Sequence, residues 1–237
     1  MADDQFGEVL AAVARDLLAE PDVQQTLQRA VELAARHLDG EVWASVSITH
    51  RRRDVDTPAA SDERARRADQ LQYELSEGPC LDAIAEHETF YIDDLESDRR
   101  YPQWSRRVAS EVGARSILSF QLFTSVDTLG ALNLYSPHVA AFDELDLEEG
   151  RVFAAQAAVA LQSARTEEQL RLSMHTRTTI GQAQGILMER YAISAERAFE
   201  FLRRLSQNQN IKLITVADRI VATRETPRQG GHGQSRP

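Results

Sequence analysis

The chain has 237 residues, 42% of them hydrophobic and 27% charged, with a formal net charge of −10. That is enough apolar material for one large or two modest cores and excludes disorder throughout. No apolar run reaches the ~18 residues of a membrane helix, Cys80 is the only cysteine and so cannot form an internal disulfide, and the N-terminus MADDQFGEVL has no secretory pattern; a cytoplasmic protein without membrane contact is expected.

Residues 1–19 are expected to hold a short helix with Phe6, Val9, Leu10, Val13, Leu17 and Leu18 on one side. Pro21-Asp22 breaks it, and Asp22 can cap a second helix that runs to Leu38 and ends at Asp39-Gly40. Residues 41–49 are β-prone, with Val42, Ala44, Val46 and Ile48 alternating. Arg51-Arg52-Arg53-Asp54 reads as a hairpin tip leading to a second strand at 54–60, and its acidic surroundings suit a solvated tip better than a nucleic-acid patch.

A charged helix opened by Ser61 or Asp62 follows over 61–75. Gly78-Pro79 turns the chain, and Pro79 suits the first position of a new helix. Tyr91-Ile92 is a short strand, 93–104 an irregular polar loop and Ser105–Val112 a helix. SILSFQLF at 116–123 and LGALNLYS at 129–136 are two strands joined by a loop at 125–128. Asp143 can cap a long helix in which Leu145, Val152 and Val159 repeat at seven-residue steps beside Phe153, Ala160 and Leu170. A stripe of that kind suits a partner helix from a second copy, or the domain's own sheet. No Gly or Pro stands between Gly150 and Gly181, so this helix can continue into the C-terminal segment without a flexible linker.

The sequences EGPCLDAI, Asp93-Asp94-Leu95, RSILSFQLF and LGALNLYS, in this order of helices and strands, resemble a GAF domain over 20–163. The resemblance implies a small-molecule effector, of unknown identity, bound between the sheet and the loops that cover it. Within such a sensor pocket, Cys80 and Arg115 are the side chains of interest. Cys80 follows Pro79 at a helix start, where a thiol pKa can be lowered; a small buried apolar residue is the plainer reading. Arg115 can meet an anionic ligand or pair with a neighbouring carboxylate. Leu81 follows Cys80, which departs from the Cys-His pair of bilin-binding members. His87 and His138 lack companions at metal-ligand spacing, so no metal or cofactor is expected.

Residues 177–221 carry three amphipathic segments. Ile180, Ala183, Leu187, Met188 and Tyr191 mark the first; Ala198, Leu202 and Leu205, flanked by Phe199 and Phe201, the second; Leu213, Val216, Ala217, Ile220 and Val221 the third. Ser194 can cap the second and Asn210 the third. Gly181 and Gly185 lie four apart on one helix face, each costing about 1 kcal/mol against Ala. Such a bare strip suits close approach of a chain or ligand. Arg203, Arg204, Ser206, Gln207, Asn208, Asn210 and Lys212 form a polar cluster at the next turn, with amides for base edges and cations for phosphate. Residues 165–237 stand at +5 (twelve basic against seven acidic), whereas 1–164 stand at −15 (fifteen against thirty). An acidic front and a basic back fit a regulatory domain joined to a nucleic-acid reader.

The pattern R-x-x-I-x-x-A-x-G-I-L-M, then A-x-x-x-L-x-x-x-S-x-x-x-N-x-K-L-x-x-V-A, resembles the ANTAR domain of transcription antitermination regulators, over 164–225. The resemblance implies a homodimer that binds paired RNA stem-loops in nascent messages. Contacts are then expected from Arg177, Gln184, Ser206, Asn210 and Lys212, phosphate anchoring from Arg203 and Arg204, and backbone approach at Gly181 and Gly185. Gln184 stands where members often have lysine, which removes a cation.

The expected fold is α+β: a GAF-like antiparallel sheet with flanking helices, a long connecting helix and a C-terminal three-helix bundle. The tail at 226–237 is expected to be disordered. No phosphate-cradling glycine loop, zinc pattern or nucleophile elbow is present, and no enzyme is expected. A DNA-binding transcription factor and a sensor whose bundle binds only protein are the competing readings.

Overall fold

The computed structural model describes residues 2–38, 40–50, 54–86, 88–124 and 128–223. The triple arginine at 51–53, Asp39, His87, the loop residues 125–127 and the tail lie outside the described residues. So do the side chains of Phe6, Val9 and Leu10.

The first compact unit spans residues 1–167. It opens with α1 (Ala2–Leu18) and α2 (Val23–His37). Asp22 caps α2 by accepting from the Gln25 backbone N–H at 2.8 Å. Val13 and Leu17 of α1 are buried, but Leu18 is exposed, one helical step off the stripe assigned to it. The sheet is built from β1 (Trp43–Thr49), β2 (Val55–Ala60), β3 (Phe90–Ile92), β4 (Ser116–Phe123) and β5 (Thr128–Ser136), in the order β2-β1-β5-β4-β3. All pairings are antiparallel. Between the strands lie α3 (Glu63–Leu75), capped by Asp62, α4 (Pro79–Glu86) and α5 (Trp104–Glu111).

The sheet is covered on both faces. On one, Ala44, Val46, Ile48, Leu118, Phe120, Leu122, Leu132 and Leu134 pack with α2 and with Phe153, Ala154, Ala157, Ala158 and Leu161. Those five belong to α6 (Glu144–Tyr191), a helix of 48 residues opened by the Asp143 carboxylate, which accepts from the backbone N–H groups of Leu145 and Asp146. Gly150 lies against the Phe120 ring; a Cβ there would stand 2.3 Å from a ring carbon, so glycine lets α6 press onto the sheet. The opposite face carries Trp43, Ile117 and Tyr135 packed with Ala65, Ala68, Leu71, Trp104 and Val108. Ser45, Ser47, Ser119 and Asn133 are buried there too. The register places Asn133 between Ser45 and Ser119. A strand whose polar alternate residues face a second helical layer is buried on both sides.

The second unit comprises residues 168–237. The end of α6, α7 (Ala195–Gln209) and α8 (Leu213–Ala222) surround a core of Ala183, Leu187, Ala198, Leu202, Val216 and Ala217. Ser194 caps α7 by accepting from the Arg197 N–H. The other expected cap is corrected: Lys212 is the N-cap residue of α8, and Asn210 instead ends α7 in the left-handed conformation, φ 51°. Asn tolerates that region better than most residues. The stripe expected on the first helix also shifts. Met188 and Tyr191 are exposed, while Ile186 and Thr179 are buried.

Candidate nucleic-acid interface and sensor cluster

The polar cluster of the second unit is mostly helical. Arg203, Arg204, Ser206 and Gln207 belong to α7, which runs to Gln209, and only Asn210 and Lys212 lie in the connection. Arg177, Gly181, Gly185, Arg203, Arg204, Asn210 and Lys212 are exposed. A Cβ at Gly181 or Gly185 would meet nothing within 4 Å, so the chain itself supplies no close neighbour for this strip. Gln184 is half-buried and donates to the Ala195 carbonyl at 3.2 Å. The Ser206 hydroxyl donates to the Ile211 carbonyl at 2.6 Å, closing the α7–α8 turn. That bond gives Ser206 a structural role which spacing alone did not reveal. Arg203 and Arg204 both reach Glu200, at 3.6 and 3.4 Å. Exposed pairs of this kind contribute about 0–1 kcal/mol and leave the guanidiniums free to exchange partners.

One feature of this unit escaped the sequence reading. Tyr191 at the end of α6 and Phe201 on α7 are both exposed, with ring centroids 6.1 Å apart. Beside them Ile193, Arg197, Glu200, Phe201 and Arg204 line an open notch of about 330 Å³.

In the first unit the two residues assigned to a sensor pocket fall into different surroundings. Arg115 directly precedes β4 and pairs with Asp94 at 2.9 Å and Glu96 at 3.2 Å. The Asp94 carboxyl is held below its usual range by that guanidinium. Cys80 is fully buried, and burial pushes its thiol up to about 12, with the nearby Asp69 charge adding to the shift. The lowering expected from a helix start is therefore overridden by desolvation.

What the second face of the sheet does hold is a carboxyl network. Asp69, on α3 and fully buried, accepts from Tyr135 at 2.7 Å, Thr57 at 2.9 Å, Asn133 at 3.0 Å and Ser47 at 3.3 Å. Tyr73 donates to Ser47 at 2.6 Å and meets Thr57 at 2.8 Å. Gln72 donates to Tyr135 and accepts from the Cys80 backbone N–H. Burial raises the Asp69 pKa in spite of the hydrogen bonds from Tyr135, Thr57 and Asn133 that favour the ionised form. Nothing in a helix reading of 61–75 marks Asp69. The recoverable signal was the polar alternation Ser45-Ser47 in a strand whose other face is apolar. Among the described residues, no group of three or more potential metal ligands comes together, and no helix is long and apolar enough to cross a membrane.

The sequence model of the GAF domain matches residues 20–162, and that of the ANTAR domain matches residues 168–221. No curated protein sequence matches. Among solved structures, the chain is similar to a free methionine-R-sulfoxide reductase from Neisseria meningitidis in complex with its substrate, at 19% identity and TM-score 0.53, over 68% of this chain and 91% of that one. It is also similar to the GAF domain of a phosphoenolpyruvate-protein phosphotransferase from Coxiella burnetii, at 15% identity and TM-score 0.54, over 69% and 96%. A reduced methionine sulfoxide reductase from Staphylococcus aureus gives 15% and 0.53, over 66% and 94%. At these identities the likeness is one of fold. GAF and ANTAR domains are regulatory modules, and with the sheet, its two helical layers and the C-terminal helices in place, the chain belongs to the GAF domain family as a regulator that joins a GAF domain to an ANTAR domain.

Proposed function

We propose that the protein is a cytoplasmic, signal-responsive RNA-binding regulator that acts as a homodimer. It binds tandem stem-loops in nascent transcripts and so controls transcription termination or translation, by binding energy alone and without catalysis. The observation that carries this reading is the ANTAR match over 168–221 on the part of the chain whose charge reverses to positive. The exposure of Arg177, Asn210 and Lys212 and the open backbone at Gly181 and Gly185 support it. Arg203 and Arg204 serve as phosphate anchors, and Gln184 and Ser206 hold the helix ends that present the other contacts.

The dimer reading is supported by α6. Its inner face is used by the sheet, while Leu145, Val152 and Val159, at seven-residue steps, are exposed. A heptad stripe left in water is what a second helix covers. In the first unit a small-molecule effector engages the hydrogen-bonding groups gathered around Asp69. Because α6 supplies residues to both cores, it carries the change to the reader.

The test is binding of the purified full chain to a tandem stem-loop RNA, a single stem-loop and duplex DNA at two salt concentrations, with molar mass from light scattering. A clear preference for the tandem RNA, steeply weakened by salt, and the mass of two chains are expected. Equal binding to duplex DNA, or no salt-sensitive binding, overturns the reading.

A further inference from the structure

We propose that the notch formed by α7 and Ile193 of the turn before it receives one unpaired, amino-bearing base from the loop of an RNA stem-loop. The inference rests on the RNA-binding reading above and adds residues to it. Arg197, Phe201 and Arg204 lie four and three residues apart on α7, so they form one stripe. That stripe is exposed and flanks the face carrying Ala198 and Leu202, the helix's contribution to the core. Tyr191, 56% exposed, stands against Phe201, 42% exposed, with the two ring planes inclined at 38°. Single exposed apolar side chains are ordinary on a protein surface. A ring pair of which one member, Phe201, lines a concavity of about 330 Å³ together with Ile193 is a different object. Its size is at the small end of ligand sites, about 300 Å³ and upward.

The rim decides what fits. Arg197 and Arg204 place two guanidiniums at the edge of the aromatic surface, where they meet phosphates on either side of a stacked base. Glu200 places a carboxylate between them, and a carboxylate accepts from exocyclic amines such as that of cytosine. Glu200 is held only by weak surface pairs with Arg203 and Arg204, which a ligand can replace. An apolar peptide would leave this charged rim unused. A paired duplex presents no free base face. An unpaired base in a loop uses aromatic face, carboxylate and arginines together.

The test uses the full chain and a tandem stem-loop RNA carrying 2-aminopurine in its loops, beside the same RNA with abasic loop positions. Phe201→Leu is expected to weaken binding about tenfold and abolish the quenching of 2-aminopurine. Phe201→Trp should keep both, because a π-face and not mere bulk is required. The abasic RNA should lose affinity for the natural protein but not for the Phe201→Leu variant. Glu200→Gln should reduce discrimination against loops containing only uracil; unchanged discrimination removes the carboxylate from base selection. If Phe201→Leu, folded by circular dichroism, binds and quenches as the natural protein does, the notch inference falls and the RNA-binding reading stands. If the natural protein does not prefer the tandem RNA at all, both fall together.

Discussion

The two cores of this chain treat polar groups in opposite ways. In the first, helices cover both faces of the sheet, and Ser47, Thr57, Asn133 and Tyr135 turn inward to Asp69. In the second, the fully buried centre comprises Ala183, Leu187, Ala198, Leu202, Val216 and Ala217, with partly buried apolar residues packed around it, and Arg177, Arg203, Arg204, Asn210 and Lys212 are exposed. Alanines bring the helices close, and most of the apolar area buried here comes from Leu187, Leu202, Val216 and the partly buried aliphatic residues around them. The difference separates two kinds of readiness. Anything that engages the Asp69 network must displace internal hydrogen bonds, whereas anything that engages Asn210 or Lys212 displaces only water.

The largest effects should come from attacking each core in turn. Asp69→Ala removes the acceptor shared by Tyr135, Thr57, Asn133 and Ser47 and should destabilise the first unit by about 4 kcal/mol. Leu202→Ala opens a cavity in the smaller core and should cost about 3 kcal/mol. In urea unfolding followed by hydrogen exchange, each substitution should chiefly lower protection in its own unit. Equal losses in both units would mean that the cores are one cooperative body.

A pH series sharpens the first half of the comparison. The Asp69 pKa lies above its ordinary value of 3.8 because burial disfavours the charge. The folded state therefore holds that proton more tightly than the unfolded chain. Its contribution is full below about 3.8 and declines as pH rises through the folded-state pKa. The stability of the natural protein minus that of Asp69→Asn should accordingly fall as pH increases; a difference that rises with pH contradicts this account.

Smaller effects test the second half. Asn210→Gly keeps the left-handed turn at φ 51° but removes the amide. It should leave the melting temperature within a few degrees of the original and weaken stem-loop RNA binding about tenfold. Unchanged affinity would confine Asn210 to its role as a helix end. Gly181→Ala should be the mildest change, since its Cβ meets open space. A stability gain of about 0.5–1 kcal/mol is expected in thermal unfolding. If RNA binding falls at the same time, the bare backbone is in contact with the ligand.

The order of helices and strands was legible because caps and turn residues act locally. Asp22, Asp62, Asp143 and Ser194 each sit where a helix begins, and Pro79 opens α4. The long helix was legible from the absence of glycine and proline between 150 and 181. What was not legible depends on contacts distant in sequence. The Asp69 network joins residues 47, 57, 69, 133 and 135, and no local pattern connects them. Cys80 is the small buried residue that the plainer reading of its position gives, and the alternative of a lowered thiol pKa fails because a helix start is a local feature while burial is a property of the whole unit. In the second unit charge and motif point to the exposed cations, whereas the Tyr191–Phe201 ring pair and the notch beside it depend on how the turn after α6 returns the chain into α7.

The length of α6 has a consequence for how the chain can vary. At ~1.5 Å and ~100° per residue, inserting a single residue between Leu161 and Thr179 moves every later α6 residue to a helix face more than a quarter turn from its original one. Seven inserted residues return almost to the original phase. Length changes by whole heptads therefore preserve the helical phase of α6, whereas single-residue insertions or deletions disturb it most.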